Sequence, residues 1–175
     1  SQRALALSRE ADKDPRVVEL ILSESSEVIR CHHGVLIVEH RLGYVMANAG
    51  IDASNVGPFD DGRERVLLLP RDPDATCARL RDEFERHFDC RVGVIINDSV
   101  GRAWRNGSVG IALGVSGPPA LWSHIGEDDL IGRQLRITEV GFADQIAAAA
   151  ALLMGEGAEG QPVVMLSGLA WPPVE

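Results

Sequence analysis

Lysine is almost missing from this chain: Lys13 is the only one among 17 basic residues. No amine is therefore available in the central motifs for Schiff-base chemistry or a point-charge contact to phosphate, and cationic chemistry falls to arginine. Cysteine is scarce too. Cys31, Cys77 and Cys90 are odd in number and lack CxxC or metal-ligand spacing, which reads as reduced thiols in a cytoplasmic protein and not as a disulfide framework. The longest small-apolar run, Ile146 to Met154, is too short to cross a bilayer, and no basic segment leads into an apolar one at the start. Neither G-x-G-x-x-G, a Walker A loop nor a G-x-S-x-G elbow is present. Ser99 has no histidine near it in sequence, His32 and His33 are adjacent, and His87 and His124 are isolated, so no nucleophile and base pair is visible. A net charge of -9 argues against a nucleic-acid coat but leaves room for a nucleotide bound through a divalent metal.

What is present describes an ordinary globular chain of 175 residues, 45% hydrophobic and 25% charged, read as a single domain over 1–175. Ala4 to Glu10 favours helix. Asp14-Pro15 and Asp72-Pro73 each set a capping carboxylate before a proline, starting two more helices. The second of these carries an apolar face at Ala78, Arg81, Phe84 and Phe88. Ser23 to Ser26 ends the helix after Pro15, and His32-His33 reads as a polar turn. Strands are expected at Val35–Val38, Tyr44–Ala47, Val66–Leu69, Val92–Ile96, Val109–Val115 and Val163–Leu166. Gly57 to Arg65 reads as a loop, Leu121 to Asp129 as irregular, and Asp144 to Met154 as a helix ending at Gly155. Helices and strands mix without βαβ alternation, so the expected class is α+β, with a mixed, largely antiparallel sheet and flanking helices.

The chemistry gathers around Asn97-Asp-Ser-Val-Gly-Arg-Ala-Trp-Arg-Asn-Gly107. A buried strand is expected to stop on Asn97-Asp98-Ser99, presenting a carboxylate and a hydroxyl. Arg102 and Arg105 flank Trp104 on a glycine-bracketed turn, where guanidinium forks suit carboxylate or phosphate and the indole offers a stacking face. Asn48 to Asn55 holds more polar side chains than a turn requires. Asp52 and Asp98 each lie just past an expected strand, and they can share a divalent cation if those strand ends converge. Ser99 and Glu156 are further oxygen donors. Plain turn-capping for Asp98 and plain exposure for Glu156 are the competing readings. From spacing alone the reading stops at a metal-dependent site for an anionic ligand, with or without phosphate.

Several long segments resemble one family. Tyr44-Val-Met-Ala-Asn-Ala-Gly-Ile-Asp-Ala-Ser-Asn-Val56, Asn97 to Gly107, Gly132-Arg-Gln-Leu-Arg-Ile-Thr-Glu139, Ala143-Asp144 and Leu153-Met-Gly-Glu156 are similar, in order, to the signatures of coenzyme F-420-0:γ-L-glutamyl ligase. The resemblance implies a GTP-dependent ligase that adds L-glutamate to the deazaflavin coenzyme F-420-0 through an acyl phosphate, forming an amide and then γ-glutamyl bonds. It also implies Mg²⁺ or Mn²⁺, K⁺ in some members, and an intertwined homodimer of the glutamyl-ligase fold, with no nucleic-acid or membrane partner. Carried over by position, Asp52 and Asp98 match ligands of one metal, while Ser99 and Glu156 stand at a second. Asn55 and the turn Met154, Gly155, Glu156, Gly157, Ala158, Glu159 and Gly160 match nucleotide contacts. Arg102 and Arg105 are assigned to phosphate or substrate carboxylate. Departures are Ser108-Val-Gly110 where many members read Gln-Thr-Asp, Ala103 for a frequent Pro, and Glu156 for Gln, which adds a negative charge near the metal. The chain opens inside a helical pattern, and the family's N-terminal segment is expected before the position of Ser1. Alternative readings are a non-catalytic nucleotide- or deazaflavin-binding module and a metal-dependent ligase for another carboxylate.

Overall fold

A computed structural model describes residues 1–57, 61 and 63–172. They fall into two compact units, Ser1–Leu69 and Pro70–Glu175. The first opens with helix α1 (Gln2–Ala11), capped by the Ser1 hydroxyl, which accepts from the Ala4 N–H at 3.2 Å. Helix α2 (Pro15–Ser23) starts as expected: the Asp14 carboxylate accepts from the Arg16 N–H at 2.7 Å, and Pro15 occupies a position that needs no donor. Strands β1 (Ser25–His32), β2 (Val35–His40) and β3 (Val45–Ala47) form an antiparallel sheet in that order. Strand β2 alternates cleanly, burying Leu36, Val38 and His40. Leu36 and Val38 join Ala4, Ala11, Val18, Ile21 and Ala49 in the core.

Two expectations for this unit fail. β1 occupies residues read as a helix end and a polar turn, and only His33 and Gly34 remain as the turn. Its pairing with β2 shifts register between Ser25 and Glu27 and again between Val28 and Arg30. Those irregularities break the period-two pattern by which a strand is recognised. Val66–Leu69 is not a strand: Leu67 forms a single bridge, exchanging backbone hydrogen bonds with Asp52 at 3.1 and 2.8 Å. The loop expected over Gly57 to Arg65 includes residues 58–60 and 62, which lie outside the described residues.

His40 is fully buried. Its Nδ1 accepts from the Leu42 N–H at 3.1 Å, while Nε2 stands 3.6 Å from Glu24 Oε2 and has no hydrogen-bond partner among the described residues. Burial, helped by the Arg41 charge and opposed by Glu24, holds its pKa below the usual 6.5. The folded chain therefore keeps a neutral imidazole where the unfolded chain would take up a proton. Stability from this group is complete above the ordinary pKa and is lost as pH falls below it, by at most about 1.4 kcal/mol per unit. Thermal melts at about pH 7.5 and about pH 5.5 should show a smaller acid loss for His40→Asn, whose amide oxygen can replace Nδ1, than for the wild type.

The second unit contains α3 (Pro73–Phe88), β4 (Val94–Gly101), β5 (Ser108–Ser116), β6 (Leu121–Ser123), β7 (Glu139–Gly141) and α4 (Phe142–Met154). β4 pairs with β5 and β6 with β7, both antiparallel. The α+β class holds, but as small antiparallel sheets in place of one mixed sheet. β6 lies where irregular chain was expected, and Val163–Leu166 is not a strand. On α3 the buried residues are Pro73 and Cys77, whereas Ala78, Phe84 and Phe88 are exposed. The helix is thus turned away from the face expected for it. No helix among the described residues is long and apolar enough to cross a membrane.

Glycines in β5 explain how both helices reach it. A Cβ on Gly114 would lie 2.5 Å from the Pro73 carbonyl carbon, and one on Gly110 would lie 2.6 Å from the Ala147 carbonyl oxygen. These are backbone contacts that cannot give way cheaply. Gly114→Ala should cost about 1–3 kcal/mol in urea denaturation. Gly101→Ala, where a Cβ meets nothing within 4 Å, should stay within about 0.5 kcal/mol of wild type.

Candidate active site

The Asp52 segment is built on a left-handed turn. After β3 ends at Ala47, Asn48, Ala49 and Gly50 take φ of 52, 55 and 65°. The turn closes when the Ile51 N–H donates to the Asn48 carbonyl at 3.1 Å. Non-glycine residues resist this conformation. Asn48 offsets part of the cost, because its Oδ1 accepts from the Leu36 N–H of β2 at 3.1 Å. Asp52 then lies in the bridge to Leu67, several residues beyond the strand, and its Oδ1 accepts from the Ser54 N–H at 2.7 Å. Asp52 and Asn55 are exposed, and Asn55 is also left-handed, at φ 54°. Asp52 and Asn55, the one expected as a metal ligand and the other as a nucleotide contact, therefore share one constrained loop.

Asp98 was expected past the end of a strand and instead lies inside one. β4 continues to Gly101, with Asp98 opposite Ile111 and Ser99 opposite Gly110. Asn97, Asp98 and Ser99 are poor strand formers, but an antiparallel partner holds them extended. The pleat sends the Asp98 and Ser99 side chains to opposite faces, so one cation cannot readily take both. Asp98 is half-buried and Ser99 exposed, and Asp98 Oδ1 accepts from the Ser99 N–H at 2.8 Å.

The turn between β4 and β5 carries the arginines. Arg102 Nη1 donates to the Gly107 carbonyl at 3.2 Å, drawing the loop across itself. Trp104 is not a core residue: it is 99% exposed, with φ 63°. Arg105 is exposed as well.

Helix α4 brings the last predicted segment to this end of the unit. Asp144 in its first turn bonds the Ala112 N–H at 2.9 Å, and Gly110 would touch Ala147 and Ala151. The helix thus runs back along β5, from Ala112 past Gly110, toward the turn that holds Arg102 and Arg105. Met154 is its last residue, and Gly155, at φ 73°, turns the chain away. Beyond it, Glu159 accepts from the Gly157 N–H at 2.8 Å, with Glu156, Ala158 and Gly160 exposed. The structure therefore gathers the β4–β5 turn and the Met154–Gly160 segment within the second unit. Asp52 and Asn55 belong to the first.

Carboxylate and hydroxyl oxygens are the donor set of a hard divalent cation. Asp52 and Asp98 each have one oxygen fixed by a neighbouring backbone N–H, which suits a ligand held in one rotamer. Among the described residues no three histidine, cysteine, aspartate or glutamate side chains form a ready-made metal cluster. The sequence reading gave no positioning role to Asp74, whose carboxylate accepts from the Val115 N–H of β5, or to Gly110 and Gly114, where the helices approach. An acidic residue in a helix's first turn was the available signal for Asp74.

Residues 1–168 match the family model described as F420-0:Gamma-glutamyl ligase. The chain belongs to this family. It is 45% identical over 172 residues to the coenzyme F420:L-glutamate ligase of Methanocaldococcus jannaschii, covering 98% of this chain and 67% of that protein. The Methanothermobacter thermautotrophicus protein of the same name is 46% identical over 171 residues, covering 98% and 66%. That of Archaeoglobus fulgidus is 44% identical over 169 residues, covering 97% and 66%. The chain thus spans about two thirds of the length of these curated ligases. The F420-0:gamma-glutamyl ligase match runs through the Asp52 loop, the β4–β5 hairpin and the end of α4 alike.

Proposed function

We propose that this chain acts in a ligase that joins L-glutamate to the deazaflavin coenzyme F-420-0 at the expense of GTP. The observation that carries the reading is the family match over residues 1–168, which contains every candidate residue of the site. GTP would phosphorylate the terminal carboxylate of F-420-0, and the glutamate amine would then displace phosphate to leave an amide. Later rounds would add glutamate through γ-carboxylates. Such a route needs no side-chain nucleophile.

The chain's own residues would bind and orient. Arg102 and Arg105, on the pinned turn, would hold phosphate or substrate carboxylate. Asn55 and Met154–Gly160 would contact the nucleotide. Asp52 and Asp98, with Ser99 and Glu156 as further donors, would hold Mg²⁺ or Mn²⁺, with K⁺ as an additional cation. A divalent ion so held supplies charge neutralisation for the transferring phosphoryl group.

Mass spectrometry of F-420-0 incubated with the full-length protein, glutamate, GTP and Mg²⁺ or Mn²⁺ tests the reading through glutamate mass increments. Asp98→Ala should lower the rate about 10²–10³-fold, the usual effect of losing a preorganised electrostatic group. Glutamate addition at the wild-type rate by that variant would remove the proposal.

A homodimer is part of the same reading. The arm bearing β6 and β7 ends in a turn at Asp129, whose carboxylate accepts from the Ile131 and Arg133 N–H groups at 2.9 Å. This turn exposes Leu130 and Ile131 almost completely. Paired apolar residues at the tip of an arm suit a second copy better than they suit water. Full-length protein carrying Leu130→Glu with Ile131→Glu should sediment as a monomer where the wild type sediments as a dimer.

A further inference from the structure

Trp104 is costly where it stands. Its indole is 99% exposed, so it loses the burial that usually repays an aromatic side chain. Its backbone is left-handed at φ 63°, a conformation uncommon for a bulky residue. The turn is nonetheless held in shape. β4 and β5 pair as far as Gly101 opposite Ser108, and Arg102 Nη1 closes the loop onto the Gly107 carbonyl at 3.2 Å. The turn is also locally cationic within a chain of net charge -9. Among the described residues neither Arg102 nor Arg105 pairs with a carboxylate. An exposed ring on a pinned turn, between two guanidinium groups without carboxylate partners, is complementary to a planar ligand that carries negative charge.

We infer that Trp104 is the stacking surface for the deazaflavin ring of the acceptor, with Arg102 and Arg105 taking its anionic groups. The inference rests on the ligase reading and adds to it a residue and a subsite. GTP, a planar base on an anionic triphosphate, is the other candidate. Asn55 and Met154–Gly160 are assigned to the nucleotide, which leaves this turn to the acceptor. The fused rings of a deazaflavin also cover an indole more fully than a purine does.

The test is binding without turnover. F-420-0 and, separately, GTP are titrated calorimetrically into full-length wild type, Trp104→Ala and Trp104→Phe. Trp104→Ala should weaken F-420-0 binding on the order of tenfold, as expected for loss of one stacking partner. Trp104→Phe should stay within about threefold of wild type, and GTP affinity should be unchanged in both. Unaltered F-420-0 affinity in Trp104→Ala overturns the inference. So does a loss confined to GTP, or a change of oligomeric state that accounts for the effect. A wild type that binds F-420-0 in a Trp104-dependent way but never joins glutamate to it would sink the ligase reading and leave the stacking surface standing.

Discussion

The outer edge of β5 is held by two carboxylates from two helices. Asp74, in the first turn of α3, accepts from the Val115 N–H at 2.8 Å, and Asp144, in the first turn of α4, accepts from the Ala112 N–H at 2.9 Å. β5 has β4 on one side, and without these acceptors its other row of donors would be an open template for another strand. Each carboxylate also sits at the positive end of its own helix, so one charge serves both the helix and the sheet edge. A register shift makes the arrangement necessary. Ile96 faces Gly114 and Asn97 faces Ala112, which leaves Leu113 as an extra residue on β5. Bulges of this kind leave part of the ladder unpaired and bend the strand. Ala112, the residue beside the bulge, is the one from whose N–H Asp144 accepts.

The position of Asp98 follows from that bulge. Beyond it, Asn97 to Gly101 pair regularly with Ala112 to Ser108. The hairpin therefore reaches its turn with Asp98 and Ser99 on opposite faces, and Gly110 turned toward α4. Gly110 lets the helix close on the strand, and the helix in turn delivers Gly155 and Glu156 to the end of the hairpin that carries Arg102 and Arg105. A side chain at Gly110 would strike Ala147, so glycine at that position permits the close helix packing.

The helices of this protein were legible in its sequence because their signals are local. Asp14-Pro15 and Asp72-Pro73 state a start, and Gly155 states an end. The strands were legible only where pairing is regular. β2 alternates and was read as a strand, though it runs on past Val38 to His40. β1, interrupted by two register shifts, was not, and β4 was cut short because its last residues look like a turn. Those residues are extended only because β5 pairs with them, and pairing is a tertiary fact that no window of sequence contains. The face of α3 was misjudged for a similar reason. Hydrophobicity favoured Phe84 and Phe88, whereas the helix buries Pro73, which meets Gly114, and Cys77 one turn on. The motif segments were legible as candidate chemistry, but their support was not, because glycine spacing alone does not say what approaches the glycine.

Backbone strain gives an independent reason to regard the Asp52 and Asp98 segments as functional. Six described non-glycine residues have positive φ: Asp12, Asn48, Ala49, Asn55, Asp89 and Trp104. Asp12 and Asp89 close helices, where a left-handed residue is the ordinary solution. The other four have no such excuse. Asn48, Ala49 and Asn55 bracket Asp52, and Trp104 follows Asp98 on the same hairpin. Glycine would relieve Asn48 only by giving up the bond to Leu36, and would relieve Ala49 only by removing a methyl group from the core. Each strained residue costs about 1–3 kcal/mol. A fold that needed only stability would have no use for that expense beside two carboxylates. Strain placed there is what would be expected if the loops must hold charged groups in one arrangement before any ligand arrives.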